Sequence, residues 1–379
     1  MLSQNLIEWL RLVLTPEIGS RRGKSLLERF RTPKAILEAS LDDIAEIENI
    51  GREVAMRIVE GRGKIDLDRQ IKLIEKDNIA IIPLNSELYP ANLKSIFDPP
   101  LVLFVKGEIL PQDYFSIAIV GTRLASFYGR TMAEKLSREL SEKGFTVVSG
   151  GARGIDTFSH QAALSANGRT LAVLGCGLDI VYPPENKKLF GEVAEHGALI
   201  SEFPLSTKPD RVNFPMRNRI ISGLSLGVVV IEAPHRSGAL ITVTHANEQG
   251  REVFSVPGHA DSFVSKGTNQ LLREGAKLVE NADDIIEELE PILKSKISEL
   301  KIDRSDSAQI KQMPINPELT SEETKIYSLL SSDSLDFDDI IAKSHLSVTA
   351  VSSVLMMLQL KKLIRQLPGE QFVRSCDER

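Results

Sequence analysis

Two short segments place glycines and arginines directly after apolar runs, and this combination is typical of a site that binds phosphate. The apolar runs 117–120 and 145–148 are rich in β-branched residues, as buried parallel strands are. Backbone N–H groups in glycine turns beside helix N-termini bind anions, and arginine adds a permanent charge. The two segments contain Gly121, Arg123, Gly150, Gly151, Arg153 and Gly154. They predict a phosphate-binding cleft.

A third segment, 214–223, places Arg217, Asn218 and Arg219 at the start of a predicted helix. The guanidinium fork of arginine donates two hydrogen bonds to a phosphate, so both arginines are candidates for the same cleft. The alternative is that one of them pairs in the core with an acidic residue that ends a strand, either Glu202 or Glu232. The sequence leaves both interpretations open.

Few aromatic residues are available to stack on bases. Tyr182 and Phe214 lie in the predicted loops, and Tyr128 is a third candidate. Stacking contributes about 1–3 kcal/mol per base, so a single ring can matter. Tyr128 and Phe214 fit core packing equally well.

These residues need a scaffold that brings several loops together, and the pattern from 115 to 280 predicts one. Apolar runs alternate with helical stretches such as 131–143, which predicts right-handed crossovers and a doubly wound parallel sheet. Ligands of such sheets bind beyond the carboxyl ends of the strands. The run 101–105 is expected to join the edge of this sheet. Further strands are predicted at 171–174, 198–201, 228–231 and 253–256.

The remaining sequence divides into flanking units around this sheet. We expect a helical domain at 1–80, a connector with an edge strand at 81–114, the core at 115–290, a linker at 291–317 and a winged-helix-like domain at 318–379. In the first unit, Ile-Gly turns at Gly19 and Gly51 resemble the helix-hairpin-helix motif. These turns either touch DNA phosphates or belong to a plain helical bundle with solvated basic residues.

The C-terminal unit resembles a winged helix-turn-helix, with three predicted helices followed by a hairpin at 363–373. The third helix, 347–360, would read a major groove in such a domain. It contains no Lys or Arg before Lys361. The sequence therefore favours a protein-contact or accessory role over groove reading.

Composition excludes several classes of protein. The net charge is −6, while the segment 115–280 carries a small net positive charge. No apolar run approaches the ~20 residues of a membrane span, and no secretory signal pattern is present. Cys176 and Cys376 give neither a disulfide framework nor metal spacing. We expect a cytoplasmic protein with no membrane partner, no metal and no cofactor.

The motifs, taken in order, closely resemble the DprA/Smf family of DNA-processing proteins. The resemblance runs from Tyr89 to about Val279. It rests on the segments 120–123, 149–156, 175–183, 201–204, 214–224, 237–242 and 250–258.

The resemblance implies an extended Rossmann-like core that binds single-stranded DNA, forms a homodimer and loads RecA during natural transformation. It adds Thr122 and Ser126 to the phosphate-binding residues. It also implies a basic contact at the position of Pro184, for which Lys187 or Lys188 would have to substitute. The implied dimer surface covers 240–249 and 267–279, with Asn247, Asn269, Leu272 and Leu278 as expected contacts.

Catalytic constellations are weak in this sequence. Ser149 and Ser237 have no evident partners, His160 fits a packed helix, and Cys176 fits a small buried residue. We therefore expect a binding protein that is not an enzyme. The alternative is a Rossmann-like nucleotide-binding protein or a nucleoside-monophosphate phosphoribohydrolase-type enzyme. The Pro-Gly-Gly…Gly-Thr…Glu motif of those hydrolases is not found at 232–242.

Overall fold

The N-terminal unit is helical, as predicted. The computed structural model describes residues 2–302, 320–331, 335–361, 363–367 and 371–374. Both Ile-Gly turns end at a helix N-cap, because Gly19 and Gly51 have the extended backbone that a cap requires. The N-terminal helices are α1 (Gln4–Leu14), α2 (Ser20–Phe30), α3 (Pro33–Glu38), α4 (Leu41–Ala45), α5 (Arg52–Gly61) and α6 (Leu67–Lys76).

A nine-stranded sheet forms the centre of the protein, in the order β1-β2-β6-β5-β4-β3-β7-β8-β9. Only the β1–β2 and β2–β6 pairs are antiparallel among the described pairs, which confirms a doubly wound, mostly parallel sheet. The strands are β1 (Ala80–Pro83), β2 (Val102–Gly107), β3 (Ser116–Val120), β4 (Thr146–Ser149), β5 (Thr170–Val173), β6 (Ala198–Ser201), β7 (Gly227–Val230), β8 (Glu252–Ser255) and β9 (Lys277–Leu278).

The predicted edge strand 101–105 corresponds to β2, but it is not at the edge. It lies between β6 and the outermost strand β1, which the sequence analysis did not identify. Strand β1 is as long as several predicted strands, but it ends in a proline, which argues against a strand in the sequence. Strand β9 has only two residues, too few for an apolar pattern.

Helices cover both faces of the sheet, and alternate side chains of each strand point to opposite faces. On β3, Ile117 and Ile119 pack with residues of the helix 127–142, whereas Ala118 and Val120 pack with residues of the helix 213–224. The covering helices are α7 (Ala91–Lys94), α8 (Phe127–Glu142), α9 (Ile155–Ser165), α10 (Lys187–His196), α11 (Asn213–Leu224), α12 (Gly238–Glu248), α13 (Lys266–Arg273) and α14 (Ala282–Ile302).

Two helices differ from their predicted bounds. The helix expected at 131–143 begins at Phe127, because the Ser126 hydroxyl caps it by accepting from the Gly129 N–H at 3.1 Å. The linker expected at 291–317 begins inside α14, which continues through Pro291 to Ile302. Residues 303–317 of that expected linker lie outside the described residues.

The C-terminal unit is a winged helix, as predicted. Its third helix contacts the central domain: Thr349 Oγ1 donates to the Asn167 carbonyl at 2.8 Å, and Ser353 packs against Gly144. This face is the one that reads DNA in a typical winged helix. The elements are α15 (Ser321–Leu329), β10 (Leu335–Asp336), α16 (Phe337–Ser344), α17 (Val348–Leu360), β11 (Ile364–Leu367) and β12 (Gln371–Arg374).

The described helices were also compared with the length and apolarity of a membrane span. No single one of them is long and apolar enough to cross a bilayer. Helices α16 and α17 reach that length and apolarity only as a pair bent by 112°.

His160 is a fully buried residue of α9, as expected from the sequence. Its Nδ1 lies 2.7 Å from the Thr170 hydroxyl, which itself donates to the Val147 carbonyl. Because a hydroxyl has one proton to donate, Nδ1 must be the donor to Thr170. Burial lowers the pKa of His160 to about 3, so the ring is neutral in the folded protein.

We expect His160→Leu to flatten the pH dependence of stability in acid. The unfolded chain takes up this proton near pH 6.5, whereas the folded chain does so only near pH 3. Stability of the unmodified protein should therefore fall as the pH drops through this window, by up to about 1.4 kcal/mol per pH unit. Denaturant titrations at several pH values measure the slope. Equal slopes in both proteins would assign the acid sensitivity to other groups.

Candidate functional site

The carboxyl ends of the parallel strands meet at one edge of the sheet, and the predicted glycine turns lie there. Strands β3 and β4 are parallel neighbours, as are β4 and β5, so the loops that follow them are adjacent. The structure therefore brings the two glycine segments together, along with the start of α11. This edge is called the cleft below. Arg123 and Arg153 are exposed there, and the rings of Tyr182 and Phe214 are half-buried.

The first loop, 121–126, is fixed by Glu232 at the end of β7. The Thr122 N–H donates to the Glu232 carbonyl at 2.8 Å. The Ser126 N–H and hydroxyl donate to the two carboxylate oxygens of Glu232, at 2.9 and 2.5 Å. These bonds from Thr122 and Ser126 hold the loop in place. Thr122 is buried, and Arg123 is the exposed charge of the loop.

The second loop, 149–156, has no space for side chains at its glycines. A Cβ on Gly150 would lie 2.6 Å from the Asp156 carboxylate and 2.7 Å from the Arg217 guanidinium. Gly154 has a φ of 75°, and a Cβ there would meet the backbone of Thr122 and Arg123. These glycines are required because the first loop and two charged side chains lie directly against their backbone.

Arg217 lies beneath the cleft rather than on its surface, and its side chain is 4% exposed. Its Nη1 donates to the Gly150 carbonyl at 2.5 Å and to the Val173 carbonyl, at the ends of β4 and β5. Burial lowers the pKa of Arg217 to about 10, against the opposing effect of Asp156. Burial also raises the pKa of Asp156, and the nearby Arg217 opposes this shift. Arg217 is thus a positioning residue.

Two exposed arginines and two half-buried aromatic rings form a row above this buried layer. The Arg123 guanidinium lies 5.4 Å from the centre of the Phe214 ring, and the Phe214 and Tyr182 rings are 5.7 Å apart. Tyr182 in turn interacts electrostatically with Arg153. Arg153 also pairs with the Glu185 carboxylate, and both of these side chains are half exposed. The row offers alternating cations and rings to a ligand.

The two residues that follow Arg217 in sequence also face the protein interior. Asn218 donates to the Gly238 carbonyl at 3.2 Å. Arg219 pairs with Glu202, as one interpretation of the sequence allowed, and also contacts the Ser20 hydroxyl at 2.9 Å. Burial raises the pKa of Glu202, and the Arg219 charge opposes this shift. Neither residue presents its polar atoms to the cleft in this arrangement.

Several exposed residues near the cleft were not identified from the sequence. Phe127 is 85% exposed at the first position of α8, directly after the Arg123 loop. Its position, an aromatic residue shortly after the turn that ends a predicted strand, could have identified Phe127 from the sequence. Others with exposed apolar side chains are Leu124, Val212 and Met216. Lys187 is exposed at the start of α10, as expected for a substitute basic contact.

The residues expected at a dimer surface lie on β9, the strand that ends the sheet, and on helices α12 and α13. Leu278 on β9 is 52% exposed, and Asn247 on α12 is exposed as well. Leu272 on α13 is half-buried. Asn269 binds both the N–H and the carbonyl of Gly258 within the same chain, at 3.2 and 2.9 Å.

The candidate nucleophile and metal ligands offer little catalytic chemistry. Cys176 is buried, and burial raises its pKa to about 11, so its thiol stays protonated. Its sulfur lies 3.5 Å from the Ile180 carbonyl. Within the part of the chain that the structure describes, no group of three or more His, Cys, Asp or Glu is arranged to hold a metal ion.

Comparisons with protein families match all three units of the chain. Residues 80–290 match the family described as DNA recombination-mediator protein A. Residues 311–370 match the DprA winged helix domain, and residues 11–64 match a SAM-like helix-hairpin-helix tandem. The first match covers more than half of the chain.

Individual relatives agree with this assignment. Protein Smf from Synechocystis sp. is 34% identical over 97% of this chain and 98% of its own length. The X-ray structure of DprA from Streptococcus pneumoniae aligns with a TM-score of 0.66 and 36% identity, over 76% of this chain and 99% of that chain. DprA from Helicobacter pylori, solved to describe its single-stranded DNA binding mode, aligns with a TM-score of 0.51 and 31% identity, over 56% of this chain and 95% of that chain. The chain belongs to the DprA/Smf family of DNA-processing proteins.

Proposed function

We propose that this protein binds single-stranded DNA in the cleft, without catalysis, and loads RecA onto it during natural transformation and recombination. The observation that carries the proposal is the row of Arg123, Phe214, Tyr182 and Arg153 above the glycine turns, in which both arginines are exposed and both rings are half-buried. The Helicobacter pylori relative is described as binding single-stranded DNA, which supports this choice of ligand. The RecA and transformation roles are those that the family resemblance implies, and we place them in the cytoplasm.

The chemistry of the row suits an unpaired strand of any sequence. Guanidinium groups and turn N–H groups bind phosphates, which positions a strand without reading its bases. Aromatic rings stack on exposed bases of all kinds. Paired bases in a duplex do not present these faces, so the row favours single strands.

The pairing of Arg153 with Glu185 does not block the cleft. Both side chains are half exposed, and ion pairs between exposed side chains contribute little because water screens them. A phosphate that replaces Glu185 is therefore opposed by a small free energy. Lys187, two positions further along, is placed to contact the same strand.

The three units have different roles in this proposal. The segment 115–290 binds DNA, and the helical unit at 1–80 and connector at 81–114 extend and support it. The winged helix at 318–379 acts through protein contacts, because its third helix already packs on the central domain through Thr349 and Ser353.

We expect Arg123→Ala to weaken binding of oligo-dT at least about tenfold, because a charged hydrogen bond contributes roughly 1.5–3 kcal/mol. The loss should be independent of base sequence, and the salt dependence should decrease by about 0.7 in log–log slope for one lost phosphate contact. Titrations with single- and double-stranded DNA at two salt concentrations measure both quantities.

The same samples with RecA report loading as faster filament formation on coated strands.

Arg217→Ala provides the matched comparison for a positioning residue. It should lower thermal stability as well as DNA affinity, because the carbonyls of Gly150 and Val173 lose their buried donor. Arg123→Ala should leave stability unchanged.

Unaltered DNA binding in Arg123→Ala would remove the cleft from the proposal. Release of a free base from a 5′-monophosphate by the pure protein would instead favour the phosphoribohydrolase alternative.

We also propose that the protein forms a homodimer through the surface around β9. This strand ends the sheet and both of its residues are exposed, so its edge is available for pairing. Asn247, Asn269, Leu272 and Leu278 remain the proposed contacts.

We expect Leu278→Lys to convert the dimer into a monomer, since it places a charge at an apolar contact. Light scattering at micromolar concentration measures the mass. Leu88→Lys is the matched control, because Leu88 is also an exposed leucine, 70% against 52% for Leu278, and follows β1 at the opposite end of the sheet. A monomeric unmodified protein, or a Leu278→Lys variant that remains dimeric, would contradict this interface.

A further inference from the structure

We propose that Phe97, with Arg21 and Lys24, forms a second base-stacking subsite for the strand that occupies the cleft. This inference rests on the proposed single-stranded DNA binding and extends it to the N-terminal unit. Phe97 lies in the loop that precedes β2 and is 75% exposed. Its ring is therefore free to contact a ligand.

Two cations of α2 are placed on this ring. The Arg21 guanidinium and the Lys24 ammonium each lie 5.6 Å from the ring centre. Lys24 Nζ also donates to the Phe97 carbonyl at 2.9 Å, which fixes the loop against α2. Arg21 contacts Asp98 at 3.5 Å and remains 76% exposed. A phosphate next to a stacked base would thus have two cations within reach.

Strand topology places this subsite at the same edge of the sheet as the cleft. Strand β2 is antiparallel to β6, so the loop before β2 lies at the carboxyl end of β6. Contacts confirm this proximity: Asp98, next to Phe97, lies 3.7 Å from the guanidinium of Arg219. Arg219 is on α11, the helix whose first turn carries Phe214. The subsite and the cleft therefore lie at the two ends of a short path along α11.

The length of this path suits a bound strand. Phe214 and Arg219 are five positions apart on α11, which corresponds to about 7.5 Å at the helical rise. A strand stacked on Phe214 therefore needs only a few additional nucleotides to reach Phe97. An oligonucleotide that fills the cleft alone would not touch Phe97.

The composition of the subsite repeats that of the cleft. In the cleft, Phe214 has Arg123 at 5.4 Å and Arg217 at 5.9 Å from its ring. The sequence around α2 has the charge that a polyanion requires, since Glu28 is the single acidic residue between positions 20 and 37. The basic residues of that stretch are Arg21, Arg22, Lys24, Arg29, Arg31 and Lys34.

The experiment compares oligo-dT of about 4 and about 20 nucleotides, lengths at the lower limit and beyond the upper limit of a single-domain footprint. Phe97→Ala should weaken binding of the longer strand by roughly five- to a hundredfold, the effect of losing one stacked base. Binding of the shorter strand should not change. Phe97→Tyr retains the ring and should bind both strands normally.

The double variant Arg21→Gln/Lys24→Gln tests the cations, with Lys76→Gln as its matched control. Lys76 ends α6 just before β1, which runs parallel to β6, so Lys76 lies at the opposite edge of the sheet. The double variant should reduce the salt dependence for the longer strand, and Lys76→Gln should leave it unchanged. Emission from the buried Trp9 checks that the N-terminal unit remains folded.

The outcomes separate this inference from the proposed function. If Arg123→Ala weakens binding of both strands and Phe97→Ala alters neither, the subsite is wrong and the cleft is retained. If Phe97→Ala weakens both strands equally, Phe97 acts through the structure of the cleft and the subsite is wrong. If Arg123→Ala leaves both affinities unchanged, the cleft proposal itself fails.

Discussion

The buried guanidinium of Arg217 is the interaction on which the arrangement of the cleft depends. It donates to backbone carbonyls at the ends of two neighbouring strands, β4 and β5, while its own helix carries Phe214. One side chain therefore fixes a glycine turn, a strand end and the aromatic ring relative to one another. Asp156 supplies the nearby negative charge that makes burial of this cation tolerable. The row of arginines and rings is positioned by this buried layer.

Residue type and spacing were sufficient to predict the sheet, the glycine turns and the loops that meet in the cleft. They were not sufficient to separate arginines that contact solvent from those that contact the protein. Arg123, Arg217 and Arg219 all follow or approach a strand end, yet only Arg123 of the three is exposed. The difference depends on the rotation of α11 about its axis, which is set by packing between residues far apart in sequence. The pairing of Arg219 with Glu202 remained one of two alternatives for this reason.

Features that depend on long-range pairing were also missed. Strand β1 ends in a proline and β9 has only two residues, so neither shows a strand pattern, and both are held by their neighbours in the sheet. Phe97 was not predicted as a site residue, because the cations near its ring belong to α2, more than 70 positions earlier in the chain. The Lys24 contact brings the two segments together. Averaging charge over residues 1–80 concealed the local excess of cations around that helix. A spatial cluster of this kind becomes visible only when the chain is folded.

The docking of α17 on the central domain affects any other molecule that binds the same helix face. Thr349 and Ser353 are already engaged with Asn167 and Gly144 of their own chain. An intramolecular contact of tethered modules competes at an effective concentration in the millimolar range. A partner must therefore displace the docked helix. Its apparent affinity is its intrinsic affinity multiplied by the fraction of molecules in which the helix is undocked. Shortening or stiffening the connection to the winged helix would tune this competition without changing any contact residue.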